Sequence, residues 1–427
     1  MSCDDTNLVE HKNNKDGKVI RFLLTILSIL VMIETSFIIS FVCKITKLNK
    51  DLSATAVYKS ETISESFENT MSILSDIDKY YKESYVGEVN YDDLTLKMAN
   101  ALIMSYGDEY GLYLDPELTS AEDNEMNNKF RGIGVLVRAE ISESEDDFDR
   151  FYVIKAYDGS DAKEKGIDKG CLITHINGER VDFSDGNTNN DIDKIRGEKG
   201  TTVEITFLNA EGEEITEAIE RKDVDTTTVE YKVINNTIGY IEISDFSLKT
   251  DEEFADVLKY MEHRDVDKLI FDLRDNTGGL LDTVVNMLDT LLPEQDIIYI
   301  ENKNGEIVQT YSSDKNSYNF ECVCIINGGT ASASELFAKT LQEQGHKVVG
   351  ETSYGKGTVC SVERLSDGGT LQFSTYRYLT GDKVCVEDIG VVPDVEMKLP
   401  ESKEKILYKL DISDDDIIVE SIKMLSE

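Results

Sequence analysis

The sequence predicts a mixed α/β architecture, and three observations carry that prediction. The apolar run 323–326 ends in the small-residue turn Asn327-Gly328-Gly329-Thr330-Ala331-Ser332-Ala333-Ser334-Glu335 and feeds a helix-like run over 336–344. Residues 130–222 hold short apolar runs divided by turn signals, the pattern of strands. Residues 52–126 instead carry apolar positions at helical spacing. A chain of 427 residues, 40% of them apolar, has material for two or three domains with cores of their own.

In chain order, 1–21 is a polar tail. Residues 22–42 then form a run of 21 interrupted by one charge, Glu34, which matches the roughly 20 apolar residues needed to cross a bilayer as a helix. The run exceeds a signal-peptide core and no small-x-small cleavage site comes after it, so it predicts an uncleaved single-pass anchor over 22–43. Charge does not orient the anchor, because Lys12, Lys15, Lys18 and Arg21 precede it and Lys44, Lys47, Lys50 and Lys59 come after it.

Over 44–126 the spacing of Ile73, Leu74, Ile77 and Tyr80, then Leu94, Leu96, Met98, Ala101, Leu102 and Met104, predicts a helical layer packed on the strand-rich part of the chain. That part, 127–222, predicts strands near 130–137, 151–156, 171–176 and 202–208, a turn at Asn177-Gly178 and a short helix over 192–196. Its acidic run 143–149 predicts an exposed hairpin tip. Residues 223–400 read as a second α/β region, and 401–427 as a C-terminal helical segment.

Composition removes several classes. With 84 acidic against 44 basic residues, a net charge of −40, the body of the protein is a poor partner for nucleic acid or anionic lipid. The seven cysteines make no CxxC pair and no metal-ligand spacing with the four histidines, so they read as small buried hydrophobes and no metal or cofactor is implied.

Chemistry concentrates in 327–357. A strand ending in a small-residue turn presents a serine hydroxyl at a helix N-terminus, where free N–H groups can receive an oxyanion. Gly355-Lys356-Gly357 places a lysine between residues without side-chain bulk, and serine with lysine is a known form of the nucleophile and base pair. A free lysine, of pKa about 10.4, must fall to roughly 7–8 to act as a base, on the order of 4 kcal/mol that burial has to supply. The bland alternative for Gly-Lys-Gly is an exposed turn with a solvated amine. Gly350 to Gly357 nearly fits a phosphate loop, but position 357 is not Ser or Thr and the sequel reads as strand, where a phosphate loop must open a helix. A Ser-His-Asp hydrolase would have to draw on His175, His263 or His346, and the chain has no Gly-x-Ser-x-Gly elbow.

Beyond these physical readings, the order of 127–222 and the phrase Gly159-Ser160-Asp161-Ala162-Lys163-Glu164-Lys165-Gly166-Ile167-Asp168-Lys169-Gly170 resemble a PDZ domain of the bacterial protease-associated kind. Such a domain adds a peptide C-terminus as an extra strand, with its carboxylate on a loop that here falls at Gly132, Ile133 and Gly134. Asp161 stands where proline is usual and Cys171 where aspartate is usual.

Four further stretches resemble the C-terminal processing peptidases, the tail-specific serine proteases. They are Gly239-Tyr240-Ile241-Glu242-Ile243, then Asp272-Leu273-Arg274-Asp275-Asn276-Thr277-Gly278-Gly279-Leu280-Leu281, then the 327–335 turn with 350–359, and Ile389-Gly390-Val391-Val392-Pro393-Asp394. The resemblance covers roughly residues 70 to 400. It implies Ser332 as nucleophile, with Ser334 as its rival, Lys356 as general base, and an oxyanion hole from the N–H groups of Gly278 or Gly279 and of Ala333. Asp272 and Arg274 become structural, and Glu335 a first-turn carboxylate favourable to the helix dipole.

The resemblance also implies a cytoplasmic tail, a PDZ domain over 127–222, a protease core over 223–400 lying outside the cytoplasmic membrane, protein or peptide C-terminal tails as partners, and pairing of two copies through 52–126. In one place the chain departs from the pattern: the family's lysine-orienting glutamine falls on Cys360, a weak hydrogen-bond partner. That departure leaves a second reading, a weak or inactive PDZ scaffold that only holds tails. A Cys360 nucleophile has no histidine placed to serve it.

Overall fold

The computed structural model describes residues 60–89, 91, 94–142, 148–183 and 188–426. The polar tail, the 22–43 anchor and residues 143–147 of the acidic run lie outside them. Among the described residues no helix is long and apolar enough to cross a membrane. The chain divides into two compact units, 1–107 and 108–427.

The first unit contributes helices α1 (Ser60–Ser84) and α2 (Leu94–Ser105). Their helical spacing is as predicted; Ile73, Ile77, Tyr80, Leu94, Met98 and Leu102 are exposed, and α2 buries no residue. The second unit opens with β1 (Leu112–Leu114) and α3 (Pro116–Met126). The helical expectation through 126 is therefore corrected at 108–114. The chain turns at 109–110, and 112–114 is extended because it ladders with a strand some 260 residues later, Leu112 facing Gln372, with Tyr113 buried.

The strand-rich region runs β2 (Lys129–Gly132), β3 (Val135–Glu140), β4 (Arg150–Ala156), α4 (Asp161–Glu164), β5 (Leu172–Ile176), β6 (Glu179–Arg180), α5 (Asn189–Ile195), β7 (Thr202–Leu208), β8 (Glu214–Glu220) and β9 (Lys222–Asp225). One antiparallel sheet has the order β3-β4-β5-β7-β8, with β6 on β5, while β2 pairs β9 as a separate ribbon. Alternation along β4 and β7 sends Phe151, Val153, Ile205 and Phe207 into one core. Asn177 and Gly178 both take positive φ, 53° and 76°, as a tight hairpin turn requires. Cys171 is buried, as expected. At the end of the acidic run, Asp149 accepts from the N–H groups of Ser142 at 2.8 Å and Phe183 at 2.6 Å.

The rest of the second unit is β10 (Val229–Ile234), β11 (Ile238–Ile243), α6 (Thr250–His263), β12 (Lys268–Asp272), α7 (Leu281–Leu291), β13 (Asp296–Glu301), β14 (Ile307–Ser312), β15 (Glu321–Ile326), α8 (Ala333–Glu343), β16 (Lys347–Gly350), β17 (Thr358–Arg364), β18 (Thr370–Thr380), β19 (Val395–Glu396), α9 (Glu401–Glu404), a 3-10 turn (Leu407–Lys409) and α10 (Asp416–Ser426). A six-stranded sheet of order β10-β11-β12-β15-β16-β19 is parallel from β11 onward. Its central strands β12 and β15 are apolar runs because both faces are covered. Phe271 meets Phe254 of α6 and Phe337 of α8 on one face, while Ile270, Val323 and Val349 meet Ile417, Ile418 and Leu425 of α10 on the other. A second, antiparallel sheet of order β1-β18-β13-β14, with β17 on β18, flanks it. The turns after β12, β15 and β16 all leave the carboxyl ends of parallel strands, where open α/β sheets place their sites.

Candidate active site

Ser332 sits where β15 turns into α8, at φ 56° and ψ −117°, a region that side-chain-bearing residues avoid. Such strain persists only where surroundings over-determine it. Here Thr330 Oγ1 donates to Leu273 O at 2.8 Å, Ala331 N–H to Asn276 O at 3.0 Å, and the buried Tyr378 hydroxyl to Ser332 O at 3.1 Å. The outcome is an elbow that leaves Ser332 half-buried and reachable. Ser334, the rival nucleophile, has no exposed surface, and its Oγ finds no partner among the described residues. It faces the helix core and cannot meet a substrate.

The turn after β12 is pressed on that elbow. Asp275 N–H donates to Asn327 Oδ1 and Asn327 Nδ2 to Asp275 Oδ1, both at 2.9 Å. The fully buried Asn276 donates to Ile243 O at 2.7 Å and accepts Gly278 N–H at 2.9 Å. A Cβ on Gly278 would stand 2.9 Å from Ser332 Cβ and 3.0 Å from Ala333 N, and one on Gly279 would stand 2.4 Å from Phe246 O. Only glycine fits either place. Because the Gly278 N–H is already spent on Asn276, the N–H groups of Gly279 and Ala333 are the two that carry no protein acceptor among the described residues.

Lys356 is joined to Ser332 through Glu335. Glu335 is fully buried; its Oε2 accepts the N–H groups of Ser332 and Lys356, each at 2.8 Å, and its Oε1 accepts Gly355 N–H at 2.7 Å and Ser353 Oγ at 2.5 Å. The first-turn carboxylate expected from the sequence is thus also the tie between two catalytic candidates. Gly355-Lys356-Gly357 is no exposed turn: both glycines are buried, and Gly357 N–H donates to Glu387 at 2.5 Å. Lys356 is half-buried, makes no ion pair among the described residues, and holds Nζ 4.7 Å from the centroid of the Tyr110 ring. Burial, and then the Glu387 charge, push the Tyr110 phenol up to about 12, so that ring is neutral.

Cys360 lies on β17 opposite Ser374. Burial raises its thiol, against the opposing pull of the Lys356 charge and of a bond to Ser374, so the sulfur stays protonated at neutral pH and is no nucleophile. The histidines are engaged elsewhere: His175 with Thr174, His263 with Lys259 O, and His346 with Cys322 N–H. The segment after Gly357 is the strand β17, which removes the phosphate-loop alternative. Among the described residues no cluster of His, Cys, Asp or Glu fits a metal.

Residues 237–397 match the model of peptidase family S41. The carboxy-terminal processing protease CtpA of Bacillus subtilis (strain 168) is 30% identical over 322 residues, 75% of this chain and 67% of that protein. The chain belongs to the carboxy-terminal processing protease family. CtpB of the same organism is 30% identical over 334 residues, 76% of this chain and 68% of its own length. A solved structure from Bacteroides fragilis NCTC 9343, described as an S41 protease, shares the fold at TM-score 0.57 and 14% identity, over 80% of this chain and 92% of that one.

Within this S41 chain the predicted peptide loop makes no hydrogen bond to the elbow among the described residues. Gly132, Ile133 and Gly134 are buried. Gly134 has φ 81°, a Cβ there would stand 2.3 Å from Ser160 Cβ, and its carbonyl accepts Tyr157 N–H at 3.0 Å. The N–H groups of Ile133 and Gly134 meet no acceptor among the described residues. Asp272 and Arg274 are structural as expected: Arg274 donates to Asp272 at 2.9 Å and to Asp415 at 2.8 Å, pinning β12 to the segment before α10. Sequence reasoning missed Tyr110 and the wider reach of Glu335. Ser-x-x-Glu at a helix start signals the capping half of that role and nothing of the rest.

Proposed function

We propose that this chain is a serine endopeptidase in which Lys356 takes the hydroxyl proton of Ser332. Ser332 Oγ attacks the scissile carbonyl carbon, the resulting oxyanion is received by the N–H groups of Gly279 and Ala333, and the proton passes from the lysine to the departing amine. Water then releases the acyl-enzyme by the same relay. Neither step calls for a metal or organic cofactor. One observation supports this reading above the others: a single buried carboxylate accepts the amides of both Ser332 and Lys356 at 2.8 Å, so the two act from one rigid mount.

The tail-capturing role belongs to the same proposal. The edge position of β3 supports addition of a substrate C-terminus as a further strand, and the unpartnered N–H groups of Ile133 and Gly134 support a carboxylate site. As that loop is buried, capture has to open it. The 22–43 span would hold the enzyme in the cell membrane with its catalytic part outside the cytoplasm, and the exposed apolar faces of α1 and α2 would pair two copies. The scaffold reading is favoured only by Cys360, which supplies no strong hydrogen bond to Lys356.

The test is cleavage of unfolded proteins that differ in their C-terminal residues. Ser332→Ala and Lys356→Ala should each abolish cleavage almost equally, because the pair works as a unit, while tail binding survives in both. Cleavage retained by either variant removes the assignment; an inert wild type that still binds tails establishes the scaffold.

A further inference from the structure

We propose that Tyr110 is the positioning residue of Lys356: its ring, and no side chain of β17, sets where the lysine amine points. The inference rests on the Ser332 and Lys356 reading above and deepens it. Lys356 Nζ stands 4.7 Å from the Tyr110 ring centroid, inside the roughly 6 Å over which an ammonium is drawn to an aromatic face. Lysine swings on a flexible four-carbon stem, so a base built from it needs something to narrow that freedom. Cys360, the side chain that the strand itself offers, is a weak hydrogen-bond partner.

The backbone that carries the ring is held by its own supports. Tyr110 N–H donates to Asp108 Oδ1 at 3.1 Å and Tyr110 O accepts Gln372 Nε2 at 3.2 Å. Asp108 in turn accepts Ser374 N–H at 2.9 Å and Ser374 Oγ at 2.7 Å. Ser374 is the residue that faces Cys360 across the β17–β18 ladder. The turn 108–110 is therefore bolted to the sheet directly beside the lysine.

An aromatic face also suits a base better than a carboxylate would. A carboxylate at the same place would bind the ammonium tightly and oppose its loss of a proton. A ring attracts the ammonium more weakly, accepts no proton, and still packs on the neutral amine and its stem.

The experiment compares Tyr110→Leu and Tyr110→Phe with wild type, with Ser332→Ala as the inert control. Tyr110→Leu should lower kcat about tenfold or more with KM within about twofold, and Tyr110→Phe, which keeps the ring face, should restore most of that kcat. Tyr110→Met replaces the leucine variant if leucine lowers the melting temperature. A second readout needs no turnover. After reductive methylation with 13C-formaldehyde, the Lys356 dimethylamine resonance, identified by its loss in Lys356→Arg, should be shifted by the ring in wild type and move to the position of exposed lysines in Tyr110→Leu. An unmoved resonance, an unchanged kcat, or a loss confined to KM overturns the inference. A wild type that cleaves nothing but shows the ring shift fails the proteolytic reading and leaves the positioning standing.

Discussion

Glu335 shows how one side chain can govern two others that it does not touch. A carboxylate without exposed surface is costly unless its oxygens are hydrogen-bonded, and four donors meet this one: three amides and the Ser353 hydroxyl. Glu335→Gln keeps the shape but turns an NH2 group toward amides that need an acceptor. With two charge-assisted bonds lost at about 1.5–3 kcal/mol each, melting should fall clearly and kcat by about a hundredfold or more, read by thermal denaturation and peptide cleavage side by side. Wild-type kcat in a folded Glu335→Gln protein would remove the argument. Ser332, Lys356 and the paired glycines were legible because each lies in a short motif whose chemistry is local. The Glu335 contacts were not, since Ser353 and Gly355 come 18 and 20 residues later and are brought in by the β16 turn. Tyr110 was less legible still, its neighbours Gln372 and Lys356 lying more than two hundred residues downstream.

At the scale of elements, β12, β15 and β16 announce themselves as unbroken apolar runs, whereas β1 has three residues and no pattern of its own apart from its pairing with β18. The C-terminal 3-10 turn Leu407–Lys409 is another element whose role comes from its partner. Tyr408 donates to Glu140 at 2.8 Å, Lys409 pairs with the same carboxylate, and the Tyr408 ring lies 4.8 Å under the Arg138 guanidinium. These contacts strap the C-terminal segment to β3. Burial raises the Glu140 carboxyl, but bonds from Lys409, Tyr408 and Arg150 outweigh burial and leave it below its usual range. A carboxylate depressed on folding stabilises the folded state above its ordinary pKa and loses that contribution as pH falls through the lower, folded value. Residues 400–410 should therefore become sensitive to proteases active in acid below about pH 4, and Glu140→Gln should release them already at neutral pH. Limited proteolysis with mass spectrometry of the fragments reads both. Equal resistance of wild type and Glu140→Gln at neutral pH would mean that packing, not this carboxylate, holds the strap.

At the scale of the whole molecule, a net charge of −40 spread over 427 residues sets a field that any arriving tail must cross. On the proposed reading, acidic tails should be repelled before they reach β3 or Ser332 and basic ones drawn in. Screening length falls from about 10 Å at 0.1 M salt to about 3 Å at 1 M, so a field effect fades with salt while a pocket effect persists. Two substrates with the same cleaved segment, one flanked by lysines and one by aspartates, should differ in kcat/KM by about tenfold or more near 20 mM salt and converge near 1 M. The difference should lie in KM, because a long-range field acts on encounter and not on the Ser332 chemistry. A preference that stays constant across that range would place discrimination in contacts close to the bound peptide, and the acidic surface would then have no part in choosing substrates.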